Sequence, residues 1–243
     1  MKKVVLGFIS LLLMSSVFGY NVNAAENSKS RDAVKVETIQ DYKNYMADQI
    51  AKEGLDGDAV KVLKKFNALS KDKQQKFVDV MNDEKALKEM AEIDESSLSD
   101  KGETKATALN GDYEVVKENT ENKEPQFSTN AAIEWRAAVA HTQKLLGVPL
   151  VKTTVELYYM ADGNTLIGSP NKVKSFINYI YFPPVKITKN GTRKGGMEVF
   201  YGMQRWAWHL VSSKWGTQYG TREQYVYVEG GTHKVWGDNK YIK

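Results

Sequence analysis

The 243-residue chain contains no cysteine. This absence excludes disulfide bonds, thiolate nucleophiles and thiolate metal ligands, and it leaves no residue for a lipid anchor beside the N-terminal signal region. After Phe18, no apolar run approaches the ~20 residues that a membrane-spanning helix needs. The protein must therefore be stabilised by a packed core.

Histidine is also scarce, with only His141, His209 and His233. None belongs to an HExxH motif or lies within four residues of another histidine, so no metal-ligand spacing is present. There is no G-x-S-x-G motif, and the carboxylates of the C-terminal half lie in turns or alternate along strand patterns. The sequence therefore favours a non-enzymatic protein with no catalytic residues, no cofactor and no metal. A hydrolase with an unrecognised carboxylate site is retained as a weaker alternative.

The N-terminus has the three parts of a secretory signal: Lys2 and Lys3, an apolar stretch over residues 4–18, and the small-residue site Val22-Asn23-Ala24. We expect a signal peptide over residues 1–24, cleaved after Ala24, and secretion to the extracellular space. A cysteine-free exported protein with this N-terminus fits a Gram-positive bacterium.

Charge and hydrophobic period divide the rest of the chain. Residues 25–127 hold 17 basic and 23 acidic residues, whereas residues 128–243 hold 15 and 7 together with all five tryptophans. The apolar period changes from 3.6 to 2 near the same point. The sequence therefore predicts a segregated α+β protein. Its predicted parts are an acidic helical segment over residues 25–93, a flexible polar linker over 94–128 and a basic, aromatic-rich β domain over 129–243.

Capping residues predict three or four short helices in the acidic segment. Gly54 ends the first helix, Asp58 and Ser70 begin the next two, and Asn82-Asp83 opens a short fourth. The linker composition is too polar to offset chain entropy, although residues 113–116 could form a lone edge strand.

In the β domain, alternation and turn residues predict an antiparallel sandwich or open barrel. Asn190-Gly191 is the signal for a type I′ hairpin, and the stretch Glu229-Gly230-Gly231-Thr232 predicts a second tight hairpin. Pro183-Pro184 should separate two strands. Residues 131–147 alternate like a strand but are rich in alanine, and a strand is preferred to a helix.

Aromatic and basic side chains are the candidate binding residues of the β domain. An exposed set would stack on sugars or lie in a membrane interface, whereas a buried set would fill the core of a cysteine-free domain. The core is the preferred interpretation for the large aromatics, and strand alternation would allow both. The candidates are Arg205, Trp206, Trp208, Lys214, Trp215, Arg222, Tyr225, Tyr227 and Lys234.

Together these features predict a secreted, non-enzymatic protein whose β domain binds an anionic cell-wall polymer, a glycan or a membrane surface. Nucleic acid is disfavoured because no recognised motif is present. The main alternative is a membrane-active antimicrobial or toxin-like protein, activated when the acidic segment is removed as a pro-segment. The opposite charges would also allow an intramolecular contact between the acidic helices and the basic β domain, although an independent helical bundle with a solvated acidic face is slightly preferred.

Overall fold

The computed structural model describes residues 34–93, 104–123, 133–163, 165–210 and 217–242. The predicted signal peptide, residues 1–24, lies outside these ranges. The described chain has four helices in its N-terminal part, followed by antiparallel strands in two sheets that are not closed. The prediction of an α+β protein with its helices first is confirmed.

Three of the predicted capping residues, Gly54, Ser70 and Asp83, lie at helix ends, whereas Asp58 is the first residue of the second helix and its N-cap is Gly57. Thr38 and Asp41 form a capping box before the first helix, and Gly54 ends that helix with a φ of 86°. The side chains of Ser70 and Asp83 cap the third and fourth helices. The helices are α1 (Ile39–Glu53), α2 (Asp58–Asn67), α3 (Lys71–Asn82) and α4 (Glu84–Ala91).

Aromatic rings form the centre of the helical part. Tyr42, Phe66 and Phe77 are fully buried, and their ring centroids lie 4.6–5.0 Å apart in edge-to-face and tilted contacts. Such contacts add to the hydrophobic stabilisation that each ring contributes by burial. Short helices are marginal alone, so this cluster is what holds them together.

The strands form two antiparallel sheets with simple up-and-down connections. The first sheet has the order β1-β2-β3-β4-β5 and the second the order β6-β7-β8-β9. The strands are β1 (Thr104–Ala108), β2 (Tyr113–Lys123), β3 (Ile133–Leu145), β4 (Val148–Asp162), β5 (Thr165–Ile180), β6 (Val185–Gly195), β7 (Val199–Leu210), β8 (Thr217–Glu229) and β9 (Val235–Ile242). Their buried side chains join those of the helices in one hydrophobic cluster.

The chain passes from the first sheet to the second at Pro183-Pro184, between β5 and β6. Proline cannot donate a ladder hydrogen bond, so this pair interrupts the strands as predicted. The preceding Tyr181 and Phe182 are almost fully buried. The predicted strand over residues 131–147 is confirmed by β3, and the predicted tight turn at residues 229–232 joins β8 to β9.

Residues 104–123, inside the predicted linker of residues 94–128, form β1 and β2, so the linker prediction is wrong there. The strand considered at residues 113–116 is the start of β2, which pairs on both sides rather than standing alone. Tyr113, Val115 and Val116 are buried, and β2 pairs with β3 along its whole length. Some of the polar side chains that suggested a linker pair with each other across these strands. One of them, Glu114, forms ion pairs with Lys105 at 2.7 Å and with Lys144 at 3.2 Å.

The predicted hairpin at Asn190-Gly191 is wrong. Both residues lie inside β6, where the register with β7 shifts between Lys189 and Thr192. Gly191 has a φ of 95°, and this positive φ is used in a bulge rather than in a turn. The chain reverses later, near Gly196, whose φ is 111°.

Candidate functional site

Three aromatic rings stack on one face of the second sheet, and we call Tyr225, Tyr227 and Trp236 the aromatic row. Tyr227 on β8 lies opposite Trp236 on β9, and Tyr225 precedes it by two residues on the same face. The three side chains are partly exposed, whereas Val226 and Val228, which alternate with the two tyrosines on β8, are fully buried. Strand alternation therefore places the row on the outer face of this sheet.

The rings are nearly parallel. The centroids of Tyr225 and Tyr227 lie 5.5 Å apart with planes 6° apart, and those of Tyr227 and Trp236 lie 5.3 Å apart with planes 14° apart. Parallel rings in van der Waals contact at these centroid distances must be offset sideways by about 4 Å. Each ring therefore leaves part of its face uncovered by its neighbour.

A carboxylate fixes one end of the row. Glu223 is 7% exposed, accepts a hydrogen bond from the Tyr225 hydroxyl at 2.6 Å, and forms a salt bridge with Arg205 whose Nε lies at 2.9 Å. Burial alone would raise the pKa of Glu223, but the hydrogen bonds from Tyr225 and Arg205 hold it below its usual value. Glu223 is therefore ionised at neutral pH.

The tyrosines of the row remain protonated. Burial, together with the nearby carboxylate of Asp238, raises the pKa of Tyr227 to about 12. Burial and the bond to Glu223 raise the pKa of Tyr225 as well. Both hydroxyls are therefore neutral hydrogen-bonding groups over the physiological pH range.

Positive charge lies at the other end of the row. The Lys234 ammonium is 5.6 Å from the centre of the Trp236 ring and is exposed. Tyr201 on β7 lies opposite Tyr227 and extends the aromatic surface across a third strand. This surface combines ring faces with hydroxyl and ammonium donors and one ionised acceptor.

Trp206 and Trp208, which alternate along β7, lie on the inner face of the same sheet. Trp206 is 1% exposed, and its Nε1 donates to Gln224 Oε1 at 3.0 Å. Trp208 is 9% exposed, and the Arg222 guanidinium carbon lies over its ring, 5.4 Å from the ring centre. The buried Trp206, Trp208 and Arg222 are therefore removed from the candidate surface. Lys214 and Trp215 lie outside the described residues.

Arg222 instead joins the helices to the second sheet. Its Nη2 donates to the carbonyl of Ala91 at 2.7 Å and of Met90 at 3.2 Å, at the end of α4. A cation at this position also interacts favourably with the C-terminal end of the helix dipole. Further along, the Tyr42 hydroxyl donates to the Tyr181 carbonyl at 3.2 Å, and the Tyr181 hydroxyl donates to Glu53 at 2.7 Å.

We expect Arg222→Met to loosen α4 from the sheet. The variant keeps much of the apolar stem but removes two charge-assisted hydrogen bonds, one buried and one partly buried. Such bonds typically contribute about 1.5–3 kcal/mol each. Amide hydrogen exchange in α4, followed by mass spectrometry, should accelerate about tenfold or more. Arg205→Met on the outer face is the control and should change exchange in β7 and β8 only. Unchanged exchange in α4 of Arg222→Met would contradict the assignment.

His233 is held by aromatic and polar neighbours. His233 stacks on Trp135 at 4.5 Å, and its Nε2 lies 2.8 Å from the Gly163 carbonyl. With Nε2 donating there, Nδ1 accepts from the Tyr159 hydroxyl at 3.2 Å. These bonds give His233 a structural role beside the turn after β4.

Of the predicted surface residues, the structure brings Arg205, Tyr225, Tyr227 and Lys234 together on the outer face. Sequence reasoning missed Tyr201, Glu223 and Trp236. Trp236 could have been found from the tight turn at residues 229–232, because the hairpin register places it opposite Tyr227.

Within the described ranges, no group of three histidine, aspartate or glutamate side chains could hold a metal ion, and no helix is long and apolar enough to span a membrane. No protein-family model, curated protein or solved structure matches the chain.

Proposed function

We propose that this chain is a secreted, non-enzymatic protein that binds a glycan of a cell envelope through the aromatic row. The observation that carries the proposal is the offset stack of Tyr225, Tyr227 and Trp236 on an outer sheet face. The C–H faces of a sugar ring pack on such surfaces, and the adjacent polar groups hydrogen-bond its hydroxyls.

The hydrogen-bonding groups around the row suit a neutral or acidic sugar. Lys234 offers ammonium donors beside Trp236, and the protonated hydroxyl of Tyr227 both donates and accepts. Both oxygens of Glu223 already accept bonds within the protein, from Arg205 and Tyr225. Glu223 therefore orients the row, which supports binding rather than hydrolysis.

We also infer that the two sheets pack as a sandwich, which would hold the row on a rigid support. Polar side chains cross between the sheets: Gln224 Nε2 donates to the Val139 carbonyl at 2.8 Å, and Lys117 Nζ donates to the Gly237 carbonyl at 2.9 Å. The Ser175 hydroxyl on β5 donates to Gln204 Oε1 on β7 at 2.7 Å, again across the two sheets. A site on strands braced in this way keeps its ring positions in the absence of ligand.

The role of residues 25–93 as a pro-segment remains a prediction. The contacts of α4 with Arg222 and of α1 with Tyr181 support an interaction between the helical segment and the β domain. Since Arg222 lies on the inner face of the second sheet and the row lies on its outer face, removal of the helices is not needed to uncover the row.

A pull-down with insoluble cell-wall glycan tests the proposal. Tyr227→Ala/Trp236→Ala should weaken binding about tenfold or more, because each ring that is lost removes about 1 kcal/mol of apolar contact with the sugar. Phe176→Ala is the matched control, since it removes an aromatic that is 41% exposed on β5 in the other sheet. Its binding should equal that of the unchanged protein.

Two results would overturn the proposal. Equal binding by the double variant and the unchanged protein would remove the row from the site. Release of soluble sugars during incubation, abolished in Glu223→Gln, would show a hydrolase instead of a binding protein.

A further inference from the structure

A second candidate binding surface carries a cluster of positively charged residues. Residues 163–197 contain six lysines and arginines and no aspartate or glutamate. The fold places these residues on β5 and β6, each the edge strand of its own sheet, and these two strands contact each other. The basic edge consists of Lys172, Lys174, Lys186, Lys189, Arg193 and Lys194.

All six cations of the basic edge are exposed. Two of them connect the strands: Lys189 Nζ donates to the Ser175 carbonyl at 2.6 Å, and Lys194 Nζ donates to the Pro170 carbonyl at 2.7 Å. Lys172 and Lys174 both lie over the Tyr158 ring, at 4.5 and 4.8 Å from its centre. Carbonyls and rings orient an ammonium group but leave its full charge in place, so the edge attracts anions.

The same stretch of chain also exposes large apolar side chains. Ile167 and Phe176 on β5 are 40% and 41% exposed, and Met197 in the turn after β6 is 81% exposed. Of the five large hydrophobic residues that are exposed in the described ranges, these three belong to this stretch. Cations interleaved with exposed apolar groups are typical of surfaces that lie on a lipid headgroup layer.

We propose that the basic edge docks on the surface of an anionic lipid bilayer. Its cations pair with lipid phosphates, and Phe176, Ile167 and Met197 enter the region between headgroups and acyl chains. A soluble polyanion would need the charges alone, whereas the exposed apolar residues favour a bilayer. Arg193, at the end of the basic edge, also interacts electrostatically with Glu223 and Tyr225 beside the aromatic row. The lysines of the edge are distinct from the residues of the row, and docking does not depend on glycan binding.

Lysines on edge strands can also serve only to prevent strand pairing between molecules. That role predicts aggregation when the lysines are replaced, with no change in lipid binding by the remaining monomer. Membrane docking predicts loss of lipid binding by a variant that stays monomeric.

The test is sedimentation of the protein with sucrose-loaded vesicles of phosphatidylglycerol and phosphatidylcholine, at 50 and 300 mM salt. Lys172→Gln/Lys174→Gln should reduce the vesicle partition coefficient about tenfold or more at 50 mM salt. Each cation near an anionic surface raises that coefficient severalfold. Phe176→Ser should also reduce it severalfold. Lys73→Gln/Lys85→Gln, with the same charge change on exposed positions of α3 and α4, should match the unchanged protein.

Other arms of the experiment separate the alternatives. Vesicles of phosphatidylcholine alone should bind poorly, and high salt should weaken binding to the anionic vesicles. Tyr227→Ala/Trp236→Ala should retain full vesicle binding. The proposal fails if Lys172→Gln/Lys174→Gln binds vesicles as the unchanged protein does. It also fails if inorganic polyphosphate displaces the vesicles while Phe176→Ser has no effect, because the edge would then be a polyanion site.

Discussion

Replacing Gln224 by leucine is expected to lower the free energy of unfolding by about 3–5 kcal/mol, although the two side chains are similar in size. Gln224 is completely buried on the inner face of the second sheet. Its Oε1 accepts from Thr153 Oγ1 at 2.8 Å and from Trp206 Nε1 at 3.0 Å. Its Nε2 donates to the Val139 carbonyl at 2.8 Å.

The expected loss comes from the groups that leucine would leave behind. The Trp206 Nε1 donor and the Thr153 hydroxyl would both lose their acceptor in the core, and each buried unsatisfied group costs about 1–3 kcal/mol. Because Thr153 is on β4 and Trp206 on β7, the same amide links the two sheets. Urea unfolding followed by tryptophan fluorescence and circular dichroism measures the effect.

A second substitution tests the mechanism. Trp206→Phe removes the Nε1 donor, so Gln224→Leu should cost less in that background than alone, by about 1 kcal/mol or more. Gln40→Leu on the exposed face of α1 is the control and should change stability by less than about 0.5 kcal/mol. Additive costs in the double variant would show that the amide does not act through Trp206.

Local signals were sufficient to predict the helical part. Gly54, Ser70 and Asp83 lie where the helices end or begin, because capping depends on a few adjacent backbone groups. The strand over residues 131–147 could also be predicted, since alternation outweighs the helical propensity of alanine when one face is buried.

The errors in the strands have two physical causes. β2 is stabilised by pairing with β3 rather than by its own composition, so its polar sequence resembles a linker. Asn190-Gly191 supplies a positive φ, which a bulge and a hairpin turn both require, and only the neighbouring strand decides between them. Neither cause is visible within a short window of sequence.

The candidate site was predicted in part because alternation identifies two faces without saying which is buried. Trp206 and Trp208 lie in the core, as the preferred interpretation of the large aromatics expected. Tyr225 and Tyr227 lie outside, and their partner Trp236 comes from another strand. Large aromatics are thus divided between a core that supports the sheet and a row that faces solvent.

Replacing Gly196 by alanine should lower the free energy of unfolding by about 3–5 kcal/mol, from backbone strain at positive φ together with overpacking. Gly196 has a φ of 111°, and a Cβ there would overlap the Val199 carbonyl oxygen. That oxygen belongs to backbone at the start of β7, so no side-chain rotation can relieve the contact. Phe200, which follows, is fully buried and packs edge-to-face on Tyr159, so the movement would reach the core.

Gly191→Ala is the matched control, because Gly191 lies on the neighbouring strand β6 with a φ of 95°, and a Cβ added there would have nothing within 4 Å. This variant bears only the cost of positive φ, about 1–2 kcal/mol. Urea unfolding of both variants should therefore separate them by about 2–3 kcal/mol, the cost of overpacking. Equal losses would mean that the turn before β7 adjusts freely. In that case strain at positive φ alone, and not contact with Val199, would explain why glycine is needed at both positions.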